Sequence, residues 1–227
     1  MQRGAQSTEQ NPVKYWSFMG GLFAQRVPEG TKGATSRELT KGPNEGKIVH
    51  EIHMDTIVGA LVDIKIKESQ YGKGFQMIID VTEPGEPLQY FAIDFKFDGA
   101  GKNLLYSLPN IDLSKDLGLK TYAIEDKEKG RVNYYCVAYQ GSLDKAGKIE
   151  KAFTRENPNG LPEMVKIKVK GVEQWDDTAQ IEFLENIILS IPYPGMDGER
   201  EEAPRATAPK VEEDPLFESP EADEIGF

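Results

Sequence analysis

The sequence MDTIVGALVDIKIKESQYGKGFQMIIDVTEPGEPLQYFAIDFKF, residues 54–97, decides the predicted fold. Apolar and charged residues alternate over residues 62–67, and this period of two is typical of a strand with one buried face, here predicted for residues 57–67. Gly72 and Gly74 predict a tight turn, because glycine adopts the positive φ that hairpins need. Prolines and a glycine at residues 84–87 mark a second turn. The stretch is therefore predicted to be a meander of three antiparallel strands, 57–67, 75–81 and 89–97.

The shape of this meander is predicted from one glycine and from the faces of its strands. Gly59 lies early in the long first strand, where a missing side chain permits a sharp bend or a β-bulge. In the third strand, Phe91, Ile93, Phe95 and Phe97 are expected to face inward. A long, bent first strand suits a small sheet that curls to close. We therefore expect a barrel-like β domain.

The segments before the meander allow two interpretations each. Residues 14–23 are a dense aromatic cluster beside a glycine pair. They indicate a strand or turn packed on the barrel, or a platform on which Trp16 or Phe18 stacks on bases. Residues 26–47 are predicted to be a glycine-rich loop with a modest basic excess. This loop is either simply solvated or an arm that clamps a phosphate backbone.

The segments after the meander predict a helix, a connection and two strands. Residues 101–107 predict a short helix that Pro109 ends, since proline cannot continue a helix. Leu113, Leu117 and Leu119 are expected to pack the following connection against a barrel end. Residues 131–140 and 164–170 predict strands, and in the second of these Val165, Ile167 and Val169 are expected to face inward.

A final helix is predicted to begin near residue 178. Asp177 is a plausible N-cap, and Gln180 stands three residues further on, as in a capping box. The apolar residues of the segment recur at helical spacing, which predicts one buried face formed by Ile181, Leu184, Ile187 and Ile188.

The net charge of −11 is unevenly distributed along the chain. Residues 197–227 hold eleven acidic and three basic residues, which leaves residues 1–196 with a net charge of only −3. A nearly neutral body is compatible with a polyanionic ligand, which a uniformly acidic one would repel. The proline-rich acidic composition of residues 195–227 predicts a disordered tail, and the polar residues 1–12 predict a flexible N-terminus.

Composition also predicts where the protein works. No apolar run approaches the ~20 residues of a membrane helix, and the N-terminal residues have no apolar signal-peptide core. Cys136 is the single cysteine, which fits a reducing compartment. We therefore expect a cytoplasmic protein.

Candidate catalytic residues are few. His50 and His53 are three apart, so on a strand they would point to opposite faces and would not share a metal. Cys136 lies in an aromatic β run and is predicted to be a small core residue rather than a nucleophile. Residues 99–103 contain glycines and a lysine but lack the spacing of a phosphate loop. We therefore expect no enzyme activity, no metal and no cofactor.

Outward-facing cations and aromatic rings make the outer face of the sheet a candidate nucleic-acid surface. Binding a single strand without sequence preference needs cations that follow the phosphates and rings that stack on bases. Each such residue also has a structural interpretation, because lysines protect exposed strands and most aromatic residues pack in cores. The predicted DNA-binding residues are Trp16, Arg26, Lys32, Lys47, Lys65, Lys67, Tyr71, Lys73, Phe75, Tyr90, Lys96, Tyr135, Lys166, Lys168 and Lys170, with Tyr139 as a further aromatic candidate.

The last residues have the form of a recognition peptide. Carboxylates give way at the end to Ile225, Gly226 and Phe227. A terminal aromatic ring can enter an apolar pocket while the preceding acids steer its approach. The predicted partner-binding residues are Asp223, Glu224, Ile225 and Phe227. The same acids can also fold back on the basic face of their own domain and compete with a polyanion.

Two resemblances accompany these patterns. The ending DEIGF, residues 223–227, resembles the acidic tip of bacterial single-stranded DNA-binding proteins, with Gly226 where that tip has proline. Residues 46–68, the turn at 71–73 and LPNIDLSK at 108–115 resemble bacteriophage single-stranded DNA-binding proteins. The second resemblance implies a mainly β chain whose residues 13–194 form an OB-fold-like five-stranded barrel with extra strands and short helices. It also implies single-stranded DNA as the ligand.

These features together predict a function. The chain is expected to bind and protect single-stranded DNA without sequence specificity during phage replication, recombination or repair, in the cytoplasm of the infected bacterial host. Its tail is expected to recruit phage or host replication proteins such as a polymerase, primase or helicase. The alternative is a non-DNA adaptor, or a DNA-mimic interaction protein, whose acidic tail imitates nucleic acid.

Overall fold

A computed structural model of the chain describes residues 13–197 apart from positions 41, 43, 70, 71, 128, 129 and 170. Within these residues the fold is mainly β, as predicted. The strands are β1 Val13–Met19, β2 Leu22–Val27, β3 Thr35–Glu38, β4 Ile48–Met54, β5 Thr56–Ser69, β6 Gly72–Asp80, β7 Tyr90–Lys96, β8 Leu117–Asp126, β9 Arg131–Tyr139, β10 Val165–Val169 and β11 Val172–Asp176. The helices are α1 Gly99–Leu105, a 3₁₀ turn Leu108–Asn110, α2 Thr178–Ser190 and the single turn α3 Pro194–Asp197.

One large mixed sheet contains most of these strands. In the described part of the chain it has nine strands in the order β3-β4-β2-β1-β7-β6-β5-β8-β9. β1 and β7 run parallel, and the other neighbours run antiparallel. β10 and β11 pair with each other as a separate hairpin.

The predicted meander is confirmed as β5-β6-β7, three consecutive antiparallel neighbours. Its inner face is the centre of the core, where Phe91, Ile93, Phe95 and Phe97 are buried as expected. Phe75 of β6 stacks on Phe95 with ring centroids 5.2 Å apart. Burial of a side chain of this size contributes on the order of 2 kcal/mol, so this face dominates the stability of the sheet.

The long first strand of the meander, β5, pairs with two other strands. Residues 56–59 pair with β8, whereas Ala60 onward pairs with β6. The irregularity in pairing lies between Leu61 and Asp63, not at Gly59 as the sequence suggested. Gly59 has a different role, because a Cβ there would lie 2.2 Å from the carbonyl oxygen of Asp80. Glycine is needed for this close approach of two backbones.

A closed five-stranded barrel is not shown. β7 forms ladders with β6 and with β1, and β9 forms its ladder with β8. β1 therefore occupies the side of β7 that a closing strand would take. The sheet nevertheless curls, since the β1–β2 turn meets β9: a Cβ on Gly21 would lie 2.5 Å from Cδ1 of Tyr134.

The prediction of a loop over residues 26–47 is wrong in part. β2 continues to Val27, and β3 lies within the segment as an edge strand paired with β4. All four residues of β3 are exposed, so its sequence has no apolar alternation to reveal it. Similarly, Leu117 and Leu119 were expected to pack a connection but belong to the strand β8, where both are fully buried.

The helices lie close to their predicted positions. α1 begins after Asp98, whose carboxylate accepts hydrogen bonds from two backbone amides of the first turn. In α2, Leu184 and Ile188 are buried as expected. The predicted capping box is wrong, because Gln180 donates to the carbonyl of Pro162 and Asp177 makes no side-chain capping bond. The carboxylate of Asp177 instead pairs with the ammonium of Lys102 in α1.

Candidate nucleic-acid interface

Lys65 and Lys67 of the meander are exposed, and each forms an ion pair with a nearby carboxylate. Lys67 Nζ lies 3.1 Å from Oδ1 of Asp94, and Lys65 Nζ lies 3.7 Å from Oδ2 of Asp63. Asp94 also accepts a hydrogen bond of 2.8 Å from Gln76. The outer face of β5-β6-β7 is therefore a mixed-charge surface rather than a purely basic one.

The remaining predicted cations of the sheet are dispersed. Lys73 pairs with Glu185 of α2 at 3.0 Å, and this partner raises the pKa of Lys73. Arg26 lies opposite Glu51 in the ladder, and Lys96 is half-buried. The exposed residues Lys32 and Lys47 lie before β3 and β4. The structure does not bring these cations together in one cluster.

Two predicted stacking residues are corrected by their burial. Trp16 is 2% exposed and packs against Phe91 with ring centroids 5.1 Å apart. Phe75 is 1% exposed between Phe95 and Phe97. Neither ring presents a face to solvent, so both are core residues. Tyr90 is half-buried at the start of β7.

Some predicted residues lie outside the described part of the chain. They are Tyr71 and Lys170 among the DNA-binding candidates, and Asp223, Glu224, Ile225 and Phe227 of the tail.

Lys166 and Lys168 lie on the separate β10–β11 hairpin rather than on the main sheet. The expectation that Val165, Ile167 and Val169 face a core is wrong, because every residue of β10 is exposed. Alternation along a strand shows that its two faces differ, but it does not show that either face is covered.

The clearest exposed aromatic feature is a pair of tyrosines on the β8–β9 hairpin. Tyr122 and Tyr135 lie opposite each other in the ladder, and their rings stack with centroids 5.5 Å apart. Tyr122 is 37% exposed and Tyr135 is half-buried. Tyr122 is not among the residues predicted from the sequence, because β8, the strand that carries it, is not among the predicted strands. Once β8 is recognised as a strand, the alternation of side chains along β8 and β9 indicates that Tyr122 and Tyr135 pair.

Partial burial beside other tyrosines perturbs the hydroxyl of Tyr122. Partial desolvation raises the pKa of Tyr122, and the nearby phenol groups of Tyr139 and Tyr135 raise it further. The Tyr122 hydroxyl is therefore neutral at physiological pH. An uncharged aromatic surface of this kind stacks on a base without repelling the adjacent phosphate.

Cations flank the tyrosine pair on the same face of the hairpin. Lys120 is two residues before Tyr122, and Arg131 is four residues before Tyr135, so strand alternation places all four on one side. Arg131 Nε lies 3.9 Å from Oδ2 of Asp126, a loose ion pair at the hairpin end. We name Lys120, Tyr122, Arg131 and Tyr135 the hairpin face.

The two histidines contact hydroxyl groups of the neighbouring strand, and the single cysteine is buried. His50 Nδ1 lies 2.8 Å from Oγ of Ser36, and His53 Nδ1 lies 3.2 Å from Oγ1 of Thr35. Burial raises the pKa of the Cys136 thiol, which disfavours the reactive thiolate. Among the described residues no three His, Cys, Asp or Glu side chains group as a metal site.

An open groove of about 580 Å³ lies beside the connection between β6 and β7. Its lining includes the apolar residues Val58 and Leu88, and its charged groups are Glu83, Glu86 and Lys14. Two carboxylates against one ammonium disfavour a phosphate there. The hairpin face is therefore the better candidate for an anionic, aromatic ligand.

Comparison with protein families, with curated proteins and with solved structures found no match for this chain. No helix in the part of the chain that the structure describes is long and apolar enough to cross a membrane.

Proposed function

We propose that this chain binds single-stranded DNA without sequence preference, with the hairpin face as a principal contact. The observation that carries the proposal is the stacked pair Tyr122–Tyr135, in which Tyr122 is exposed and Tyr135 half-buried, on the same face as Lys120 and Arg131. Proteins that bind single strands combine aromatic platforms for the bases with cations that follow the phosphates. Stacking is insensitive to base identity because every base has a π-face.

The order of pairing supports an OB-fold-like interpretation of the sheet. β5, β6 and β7 form a meander, β8 returns to pair with the first part of β5, and β9 pairs with β8. OB-folds bind oligonucleotides on the face of their second and third strands and on the loops after the first and fourth. In this chain these would be β6-β7, the β5–β6 turn and the end of the β8–β9 hairpin.

The lysines of the meander would contribute secondary contacts. The ammonium of Lys67 is exposed although its partner Asp94 is largely buried, so a phosphate can approach Lys67 from the solvent side. The same pairs favour the second candidate function, a non-DNA adaptor. Lysines already matched by carboxylates leave little net positive charge to attract a polyanion.

The acidic tail supports a further part of the proposal. Residues 197–227 carry a net charge of −8 and end in Ile225, Gly226 and Phe227. We propose that the tip recruits phage or host replication proteins, and that the tail competes with DNA for the basic surface. Under this proposal the protein acts in phage replication, recombination or repair.

Fluorescence anisotropy of a labelled dT oligonucleotide, titrated at several salt concentrations, tests the proposal. We expect tight binding that weakens steeply with salt. Tyr135→Ala and Tyr122→Ala should each weaken it about tenfold, because base–aromatic stacking is worth 1–3 kcal/mol. Tyr135→Phe, which keeps the ring, is the matched control and should bind nearly as the wild type.

The tail is tested in the same titration. A protein that lacks residues 197–227 should bind the oligonucleotide more tightly, because a competing polyanion has been removed. Absence of binding by both proteins at low salt would refute the proposal and favour the adaptor.

A further inference from the structure

The β10–β11 hairpin stands apart from the main sheet. In the part of the chain that the structure describes, its two strands form ladders only with each other. All residues of β10 are exposed, as are the first four residues of β11. A hairpin that buries neither face does not add to the core, so its side chains are available for a ligand.

One face of this hairpin combines an aromatic ring with two cations. Lys166 lies opposite Trp175, and Lys168 lies opposite Glu173. Lys166 Nζ is 5.2 Å from the centroid of the Trp175 ring and 3.9 Å from Oε2 of Glu173. Trp175 is 39% exposed. The face therefore presents an indole, two lysines and one carboxylate, with the ammonium of Lys166 near both the ring and the carboxylate.

We propose that this face is a second contact for single-stranded nucleic acid, in which a base stacks on Trp175 while Lys166 and Lys168 meet the flanking phosphates. The inference rests on the proposed function. It adds a second contact site, on the β10–β11 hairpin, to the hairpin face formed by β8 and β9. Tryptophan is a large aromatic platform, and alternate lysines are spaced along the strand on the same side as the ring.

The contacts on this face can be exchanged for those of a nucleotide. An exposed cation–π contact is weaker than base–aromatic stacking, so a base can displace the ammonium of Lys166 from the ring. The displaced ammonium then remains beside the phosphate of the same nucleotide. Its partner Glu173 is 72% exposed and holds Lys166 only loosely, at 3.9 Å.

The opposite face has a different character. Strand alternation places Val165, Ile167, Val169 and Val172 there, all of them exposed. The charge that the ladder places on this face is the carboxylate of Asp176, opposite Val165, which repels a phosphate, and no aromatic ring of the hairpin lies there. It therefore supplies a matched control on the same element, and Val172, 68% exposed, is the best position for it.

Tryptophan emission tests the proposal, because the chain has only two tryptophans. Trp16 is buried and gives a constant background, whereas Trp175 is accessible. Titration with unlabelled dT oligonucleotide should quench the emission of the full chain, and Trp175→Phe should abolish the quenching while keeping most of the affinity. Trp175→Ala should weaken anisotropy-measured binding about tenfold.

Two further variants sharpen the result. Glu173→Gln should strengthen binding several-fold and steepen its salt dependence, since it removes the carboxylate that pairs with Lys166 and repels phosphate. Val172→Ser should leave quenching and affinity as in the wild type. Circular dichroism of each variant verifies that the fold is retained.

The outcomes separate this inference from the proposed function. Oligonucleotide binding with no change in Trp175 emission, and with Trp175→Ala equal to the wild type, would overturn the inference and leave the proposed function standing. Equal losses from Trp175→Ala and Val172→Ser would overturn it in favour of an apolar contact. No binding by the wild type would refute both.

Discussion

The guanidinium of Arg37 donates two hydrogen bonds of 2.9 Å to the carboxylate of Glu51, one from Nε and one from Nη2. Glu51 is 2% exposed, whereas Arg37 lies on the edge strand β3. His53 Nε2 is 3.4 Å from the same carboxylate. Because β3 has no buried side chain of its own, this forked ion pair is its main attachment beyond the backbone ladder with β4.

Replacement of Arg37 should destabilise the protein. Arg37→Ala leaves the buried carboxylate of Glu51 with fewer donors, and we expect a loss of about 2 kcal/mol in the free energy of unfolding. Arg37→Lys keeps the charge but not the fork, so its loss should be smaller. Urea denaturation measures both. A midpoint for Arg37→Ala equal to that of the wild type would show that the pair is dispensable.

The pair between Lys102 and Asp177 should behave in a different way. Lys102 is a buried residue of α1, and its carboxylate partner comes directly before α2. Asp177→Ala strands the ammonium and should cost about 2 kcal/mol of unfolding free energy, because Asp177 itself is partly exposed. Lys102→Met combined with Asp177→Ala should recover at least half of this loss, since the double variant buries no unpaired charge.

A double-mutant cycle in urea measures this coupling. If the effects of the two substitutions simply add, the two side chains do not interact and the pair does not join α1 to α2.

These pairs also show why parts of the fold could be predicted and others could not. The meander was predictable because Phe91, Ile93 and Phe95 recur at every second position, Asp94 and Lys96 take the alternate positions at the end of the strand, and turn residues precede it. β3 has no apolar residue in Thr35–Glu38, and its attachment depends on Glu51, far along the chain. A strand held by pairing and by a remote carboxylate leaves no local pattern in the sequence.

The same limit applies to the candidate site. Tyr135 was predicted from its aromatic β run, but its partner Tyr122 lies on β8, where Leu117 and Leu119 were taken for the packing of a connection. Trp16 and Phe75 were predicted to stack on bases because composition does not show which face of a strand is covered. Local periodicity distinguishes two faces, and only the assembled sheet determines which one is buried.

Gly21 should tolerate substitution less well than its neighbour Gly20. Both have positive φ, +77° and +57°, so alanine costs about 1 kcal/mol at either position. Only at Gly21 does the new Cβ meet another group, Cδ1 of Tyr134 at 2.5 Å. We therefore expect Gly21→Ala to lower the free energy of unfolding by about 1 kcal/mol more than Gly20→Ala.

Thermal and urea unfolding of the two alanine variants test this contact. In a Tyr134→Ala background, the extra cost at Gly21 should disappear. Persistence of the difference without the tyrosine ring would mean that the β1–β2 turn does not pack against β9 at this point.

The cations of the hairpin face should determine part of the salt dependence of DNA binding. For a single strand, the slope of log K against log salt concentration falls by about 0.7 for each phosphate contact that is removed. Lys120→Gln and Arg131→Gln should each reduce the slope by this amount and weaken binding to all sequences alike.

Lys115→Gln is the control, because Lys115 is an exposed lysine outside the hairpin, paired with Asp112 at 2.8 Å. Anisotropy titrations with a dT oligonucleotide at several salt concentrations measure this slope. If Lys115→Gln reduces the slope as much as Lys120→Gln, binding depends on overall charge and the hairpin face has no special part in it.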